Sequence, residues 1–270
     1  MKCTTGLLRH LFLLAALLLF PVAAHGESNE ALAKKLANPV ANMISVPIQI
    51  NFDDNRGPNK DGERWTTNIQ PVIPVELSEE WNLISRTIIP IIHQDAVNPG
   101  TGGQSGVGDL VQSFFFSPAA PTETGWIWGA GPVFLLPTGS NDSITADKWG
   151  LGPTGVALKQ AGPWTFGGLF NHVWSFAGND DRDGINATYL QPFVAYTTPE
   201  AWTFALNTES TYDWKNHYST IPINLTASKM TEIMGQKISV GAGIRQWLDS
   251  PENGPKGTGF RFTFTFIFPK

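Results

Sequence analysis

Cysteine is almost missing from this 270-residue chain: the one present, Cys3, lies ahead of an apolar run, where it cannot anchor a lipid. With the leader removed no cysteine remains, which excludes disulfides, thiol catalysis and thiolate metal sites together. Beyond the leader no stretch approaches roughly 18 uninterrupted apolar residues, so no membrane-spanning helix is expected. Basic charge is scarce as well, with 18 Lys and Arg against 23 Asp and Glu. Taking Lys2 and Arg9 away with the leader leaves 16 basic residues against 23 acidic ones, a net charge of −7. An acidic chain without a basic patch argues against nucleic acid as a partner. A phosphate-binding loop is absent, and helical periodicity occurs only once, within residues 27–38.

What is present begins with a leader. Residues 1–10 carry Lys2 and Arg9 and no acid, residues 11–22 are apolar, and Ala23, Ala24 and Gly26 offer small residues for cleavage. This reads as a signal peptide over residues 1–26. Residues 27–38 come next as a short helix, with Ser28 as N-cap and Ala31, Leu32 and Leu36 apolar, stopped by Pro39. The helix suits either a plug in the lumen of a barrel built from residues 39–270 or a periplasmic tether.

From residue 39 to 270 the dominant period is two, which is the period of a strand. It is clearest at the end, where Phe260, Phe262, Phe264, Phe266 and Phe268 alternate with Arg261, Thr263, Thr265 and Ile267. A full row of Phe on one face fits poorly into a sandwich core about 10 Å thick, but it suits lipid. The alternative is an apolar edge strand of a water-soluble body. Segments of similar alternation fall at 40–52, 65–77, 81–92, 107–117, 126–136, 150–160, 164–176, 187–197, 202–214, 221–229 and 237–248. With 260–268 they make twelve, an even number, as single-chain bacterial barrels have.

Charge supports the same wall. Glu76, Asp109, Lys159, Glu209, Asp213, Lys237, Arg245 and Arg261 all take the polar parity. A lipid-facing Arg or Lys at mid-membrane costs roughly 2–4 kcal/mol, so avoidance is expected. Lys229 breaks the rule at a strand end, where its ammonium can snorkel. The segment 81–92 carries isoleucine on both parities, and only Arg86 marks its wet side. Tryptophans 65, 81, 126, 149, 164, 202 and 214 lie near segment ends, as interfacial anchors do. The expected fold is therefore all-β: an antiparallel up-and-down transmembrane β-barrel of about twelve strands, with a short N-terminal helix after the signal peptide.

Several phrases add a resemblance. Leu32-Ala33 with Asn38-Pro39-Val40, Ile44-Ser45-Val46-Pro47, Gly106-Val107-Gly108-Asp109-Leu110, Gly129-Ala130-Gly131-Pro132, Leu136-Pro137-Thr138-Gly139, Gln191-Pro192-Phe193, Ile221-Pro222-Ile223 and the ending Phe266-Ile267-Phe268-Pro269-Lys270 occur in order. Together they resemble bacterial outer-membrane transporters named for the MetA pathway of phenol degradation. The resemblance covers most of the chain after the leader. It implies an outer-membrane barrel with a transport role, in settings of aromatic degradation, and supplies no catalytic residue.

The lumen candidates are Arg86, Asp109, Glu209, Asp213, Arg245 and Arg261, whose mixed charges either form a selective constriction or pair and fill a closed lumen. Asn179, Asp181, Asp183 and Gly184 have the spacing of a calcium loop, but the twelfth position is Leu190, so no metal site is assigned. For a hydrolase, Asn171-His172 with Ser175 and Asp213 with His217 are the available constellations. In the first, His172 and Ser175 fall on opposite faces of the wall; the second lacks a recognisable nucleophile-activating set. The expectation is a non-enzymatic passive channel for small, aromatic or apolar solutes, without cofactor. Outer-membrane lipid and lipopolysaccharide surround it, and the barrel-assembly machinery is met through the C-terminal strand.

Overall fold

A computed structural model describes residues 27–97, 100 and 102–268. The signal peptide expected at 1–26 lies outside the described residues, as do Pro269 and Lys270.

Among the described residues one helix and twelve membrane-length strands make up the fold. The helix α1 is Asn29–Leu36, and the Ser28 hydroxyl accepts from the Ala31 N–H at 3.2 Å. The strands are β1 Ile44–Arg56, β2 Gly62–Ile69 continued by Val72–Glu76, β3 Trp81–Asp95, β4 Gln104–Val107 continued by Leu110–Pro118, β5 Trp126–Leu136 and β6 Lys148–Ala161. They continue as β7 Trp164–Gly178, β8 Asn186–Thr197, β9 Trp202–Thr208 continued by Ser210–Asp213, β10 Tyr218–Ile233, β11 Gln236–Asp249 and β12 Thr258–Phe268. Each strand pairs antiparallel with its sequence neighbours, and β1 closes the ring on β12, from Ile44 opposite Phe268 to Phe52 opposite Phe260. Closure removes every sheet edge, which lipid requires because it cannot hydrogen-bond an open one.

Three strands are interrupted, each at an identifiable place. In β2 Pro71 has no N–H to give the ladder, and its carbonyl accepts from the Thr87 N–H instead, at 3.1 Å. In β4 the break falls at Gly108-Asp109, and in β9 it falls at Glu209. One close approach demands glycine: a Cβ on Gly152 would stand 1.7 Å from the His172 carbonyl oxygen of the paired strand.

The alternation expected from sequence sorts outside from inside. On β12 Phe260, Phe262 and Phe264 are exposed while Gly259, Arg261, Thr265 and Ile267 are buried. With both chain ends and α1 taken as the periplasmic side, Trp81, Trp126, Trp164 and Trp202 form a lower belt. Trp65, Trp149, Trp174 and Trp214 form an upper one. Two aromatic belts flanking an apolar band are the outer surface of a membrane barrel. Connections at the lower side, such as 162–163 and 234–235, are shorter than upper ones such as 137–147 and 250–257. On β3 the wet face is the Arg86 face, with Asn82 and Gln94 buried inside and Trp81 and Ile91 exposed outside.

Three expectations are corrected. Val156 and Leu158, placed with the lipid row, point inward, and Lys159 lies on the outer face at the lower end, its chain beside Gly125. Val40, placed at the head of the first lipid-facing row, precedes β1 and is buried in the lumen. The reason is common to all: the lower lumen is itself apolar. Val40, Ile84, Phe115, Val156, Leu158 and Leu169 form one buried cluster there, so hydrophobicity no longer reports which side a residue faces.

Candidate functional site

The lumen is layered, and α1 forms its floor. The helix lies among strand ends inside the lower mouth, with Leu32 and Ala33 packed on Met43, Ala201, Met230 and Ile267. Polar ties hold its two ends to opposite walls: Lys237 on β11 donates to the Asn29 side chain at 3.0 Å, and Gln160 on β6 donates to the Lys34 carbonyl at 2.8 Å. Asn38 then accepts from the Val40 N–H at 3.0 Å and turns the chain back toward β1.

Two cavities flank this floor. One of about 160 Å³ lies between Leu36, Pro39, Met43, Gln70, Arg86 and Leu169. The other, about 220 Å³, is more apolar and lies against Ala33, Leu36, Phe193, Ala195 and Ala205. Gln191 borders both and accepts from the Tyr189 hydroxyl at 3.1 Å. Arg86 sits at this level and donates to Gln70 at 2.9 Å.

Above them the lumen is crossed by a charged layer. Arg261 on β12 donates twice to Glu209 at the β9 break, at 2.9 and 2.7 Å, and its Nε donates to Asn51 on β1 at 2.7 Å. Arg245 on β11 lies 3.4 Å from Glu209 and 3.8 Å from Asp53, with its guanidinium 4.4 Å over the Trp247 ring. Trp247 donates to Asp53 at 2.8 Å. The break in β9 gives Glu209 its place, since leaving the ladder for one residue lets its carboxylate reach across to β12. Arg261, Asn51 and Asp53 are 3, 2 and 5% exposed, so side chains fill the lumen at this height.

Of the residues singled out from sequence, the structure brings Glu209, Arg245 and Arg261 into contact and sets Arg86 a step below. Asp109 and Asp213 do not join them. Asp109 accepts from the Gly139 N–H at 3.1 Å, from the Thr145 hydroxyl at 2.6 Å and from the Ala146 N–H at 2.6 Å, which pins the outer loop 137–147. Asp213 accepts from the N–H groups of Lys215 and Asn216 at 2.8 and 3.0 Å and shapes the outer hairpin. Sequence reasoning missed Asn51, Asp53, Arg56, Arg64 and Trp247 as site residues. Asn51 has the inward parity, and carrying its alternation past Phe52 finds Asp53; Arg64 shares the parity of Asn68 and Gln70.

Of the hydrolase constellations, His172 shares a hydrogen bond with Thr188 at 2.7 Å on the outer face, while Ser175 accepts from the Ile185 N–H at 2.7 Å. In the loop with calcium-like spacing, Asn179 accepts from the Asp181 N–H at 3.0 Å. Among the described residues no group of three or more His, Cys, Asp or Glu is placed to hold a metal.

A closed barrel with paired aromatic belts, a helix in one mouth and a charged layer in the lumen defines an outer-membrane β-barrel protein. Comparison with solved structures agrees on that class. An outer membrane channel from Pseudomonas putida F1 superposes with a TM-score of 0.64 at 16% identity, over 84% of this chain and 94% of that one. Outer membrane phospholipase A from Escherichia coli superposes with a TM-score of 0.50 at 11% identity, over 90% of this chain and 99% of that one. At these identities the likeness is one of fold. No family model and no curated sequence matches the chain.

Proposed function

We propose that the protein is a passive channel that lets small, aromatic or apolar solutes cross the outer membrane, with α1 as a plug in its periplasmic mouth. The observation that carries the reading is the floor. A helix held at both ends inside the lumen, with cavities of about 160 and 220 Å³ on its two sides, is an interior built around space. A barrel serving only as a scaffold would close such space with side chains. The charged layer around Glu209 fits a constriction that shuts or narrows the path from above. The fold of the Pseudomonas channel supports this reading, as does the resemblance to the MetA-pathway transporters; membership of that family is part of the proposal.

The reading is non-enzymatic. His172 meets Thr188 on the lipid side while Ser175 is bonded into the wall from within, and Asp213 is taken up by the N–H groups of Lys215 and Asn216, so neither constellation offers an activated nucleophile beside a cleft. Lipid and lipopolysaccharide are the surroundings of the outer face, and the Phe-rich C-terminal strand is the segment offered to the barrel-assembly machinery. Transport needs no coupling: the outer membrane holds no ion gradient, and diffusion down a concentration difference suffices.

Single-channel recording in planar bilayers tests the proposal. The full chain is expected to give small or intermittent conductance, and a variant lacking residues 27–38 a larger and steadier one. Silence from both, with each protein showing the heat-modifiable migration of a folded barrel, would refute it.

A further inference from the structure

The lumen holds more guanidinium than it can pair. Arg261 and Arg245 share the carboxylates of Glu209 and Asp53. Arg56, at the outer end of β1, lies within electrostatic reach of Arg64, Asp53 and Arg245, and no ion pair is formed by it among the described residues. Among the described residues Arg64 donates to the neutral Gln94 and Arg86 to the neutral Gln70, and neither forms an ion pair. The Nε–H groups of Arg56 and Arg245 are buried without an acceptor among the described residues. Buried donors in proteins are nearly always bonded, and a buried charge without a partner is costly, so such a cluster calls for an anion to complete it.

We propose that the outer lumen is a binding and selection site for small organic anions, in which Arg56, Arg64 and Arg245 take a solute carboxylate and Arg86 receives it one step further in. The inference rests on the channel reading and adds the charge and class of the solute. The guanidinium fork matches a carboxylate in shape and in hydrogen-bond direction. The 160 Å³ cavity that Arg86 lines, with Leu36, Met43 and Leu169, would hold the body of a solute whose carboxylate Arg86 has received; an apolar cavity of about 150 Å³ accommodates benzene. The ligand is then a monocarboxylate with a compact apolar body. The acids Asp142, Asp180, Asp181 and Glu252 on the outer loops do not reverse this sign. They face solvent, where salt screens charge beyond about 8–10 Å, whereas the arginines act inside a narrow, weakly screened lumen.

The test uses the full chain, with benzoate as probe and benzamide as its uncharged counterpart. In planar bilayers under a KCl gradient, the anion-to-cation permeability ratio is expected to exceed one and to fall at least about threefold in the Arg56→Gln, Arg64→Gln double variant. Neither arginine has an ion-pair partner among the described residues, so the change strands no carboxylate; heat-modifiable migration confirms folding. In detergent, calorimetric titration should show saturable benzoate binding, weaker in the double variant, and none for benzamide. Conductance with a cation preference or none, or equal binding of the two probes, overturns the anion site while the channel reading stands. Benzoate binding without any conductance supports the site and overturns the channel.

Discussion

Replacing Arg261 by Met should expose how much of the barrel's stability resides in its charged layer. The side chains of Arg261 and Glu209 are 3 and 16% exposed, and two short hydrogen bonds join them. Removing one member of a buried pair costs about 3–5 kcal/mol, because the other is left charged and desolvated. Here the loss is softened, since Arg245 remains 3.4 Å from Glu209, but Asn51 also loses its donor. We expect Arg261→Met to lower the unfolding free energy by about 2–4 kcal/mol, measured by urea titration in lipid vesicles with tryptophan fluorescence. The double variant Arg261→Met, Glu209→Gln removes the stranded charge. Two charge-assisted hydrogen bonds should then appear as a coupling of at least about 1.5 kcal/mol in the double-mutant cycle. Effects that simply add, to within about 0.5 kcal/mol, would show that the two side chains do not meet as described.

Phe264→Arg, which turns an exposed ring at the middle of β12 into a charge, should cost roughly 2–4 kcal/mol in the same titration, and Thr263→Arg on the lumen parity much less. Equal costs would mean that the even face of β12 does not touch hydrocarbon. Leu32→Ala removes a side chain only 1% exposed from the contact between α1 and the wall. It should raise mean conductance, by freeing the helix more often, and lower stability by about 2 kcal/mol or more; unchanged currents would count against α1 as the plug. Asp109→Ala removes the acceptor of three hydrogen bonds from the loop 137–147. Protease added outside cells should then cut that loop faster, while the barrel keeps its heat-modifiable migration.

The sequence by itself determined the wall. Strand side chains alternate strictly, so in β12 the Phe row and the Arg261 row could be assigned to lipid and lumen without coordinates, and twelve such segments implied a ring. The helix cap at Ser28 and the stop at Pro39 were equally local. Only the tertiary structure decided what the lumen contains. Glu209 meets Arg261 across 52 positions, and Arg261 meets Asn51 across 210. Closure of the ring, not any local pattern, sets those distances. The inward turn of Val156 and Leu158 escaped the sequence for a related reason: alternation says that neighbours face opposite ways, but it names the inner face only where that face is polar. Near α1 the barrel encloses an apolar interior, and there the chemical contrast between the two sides disappears.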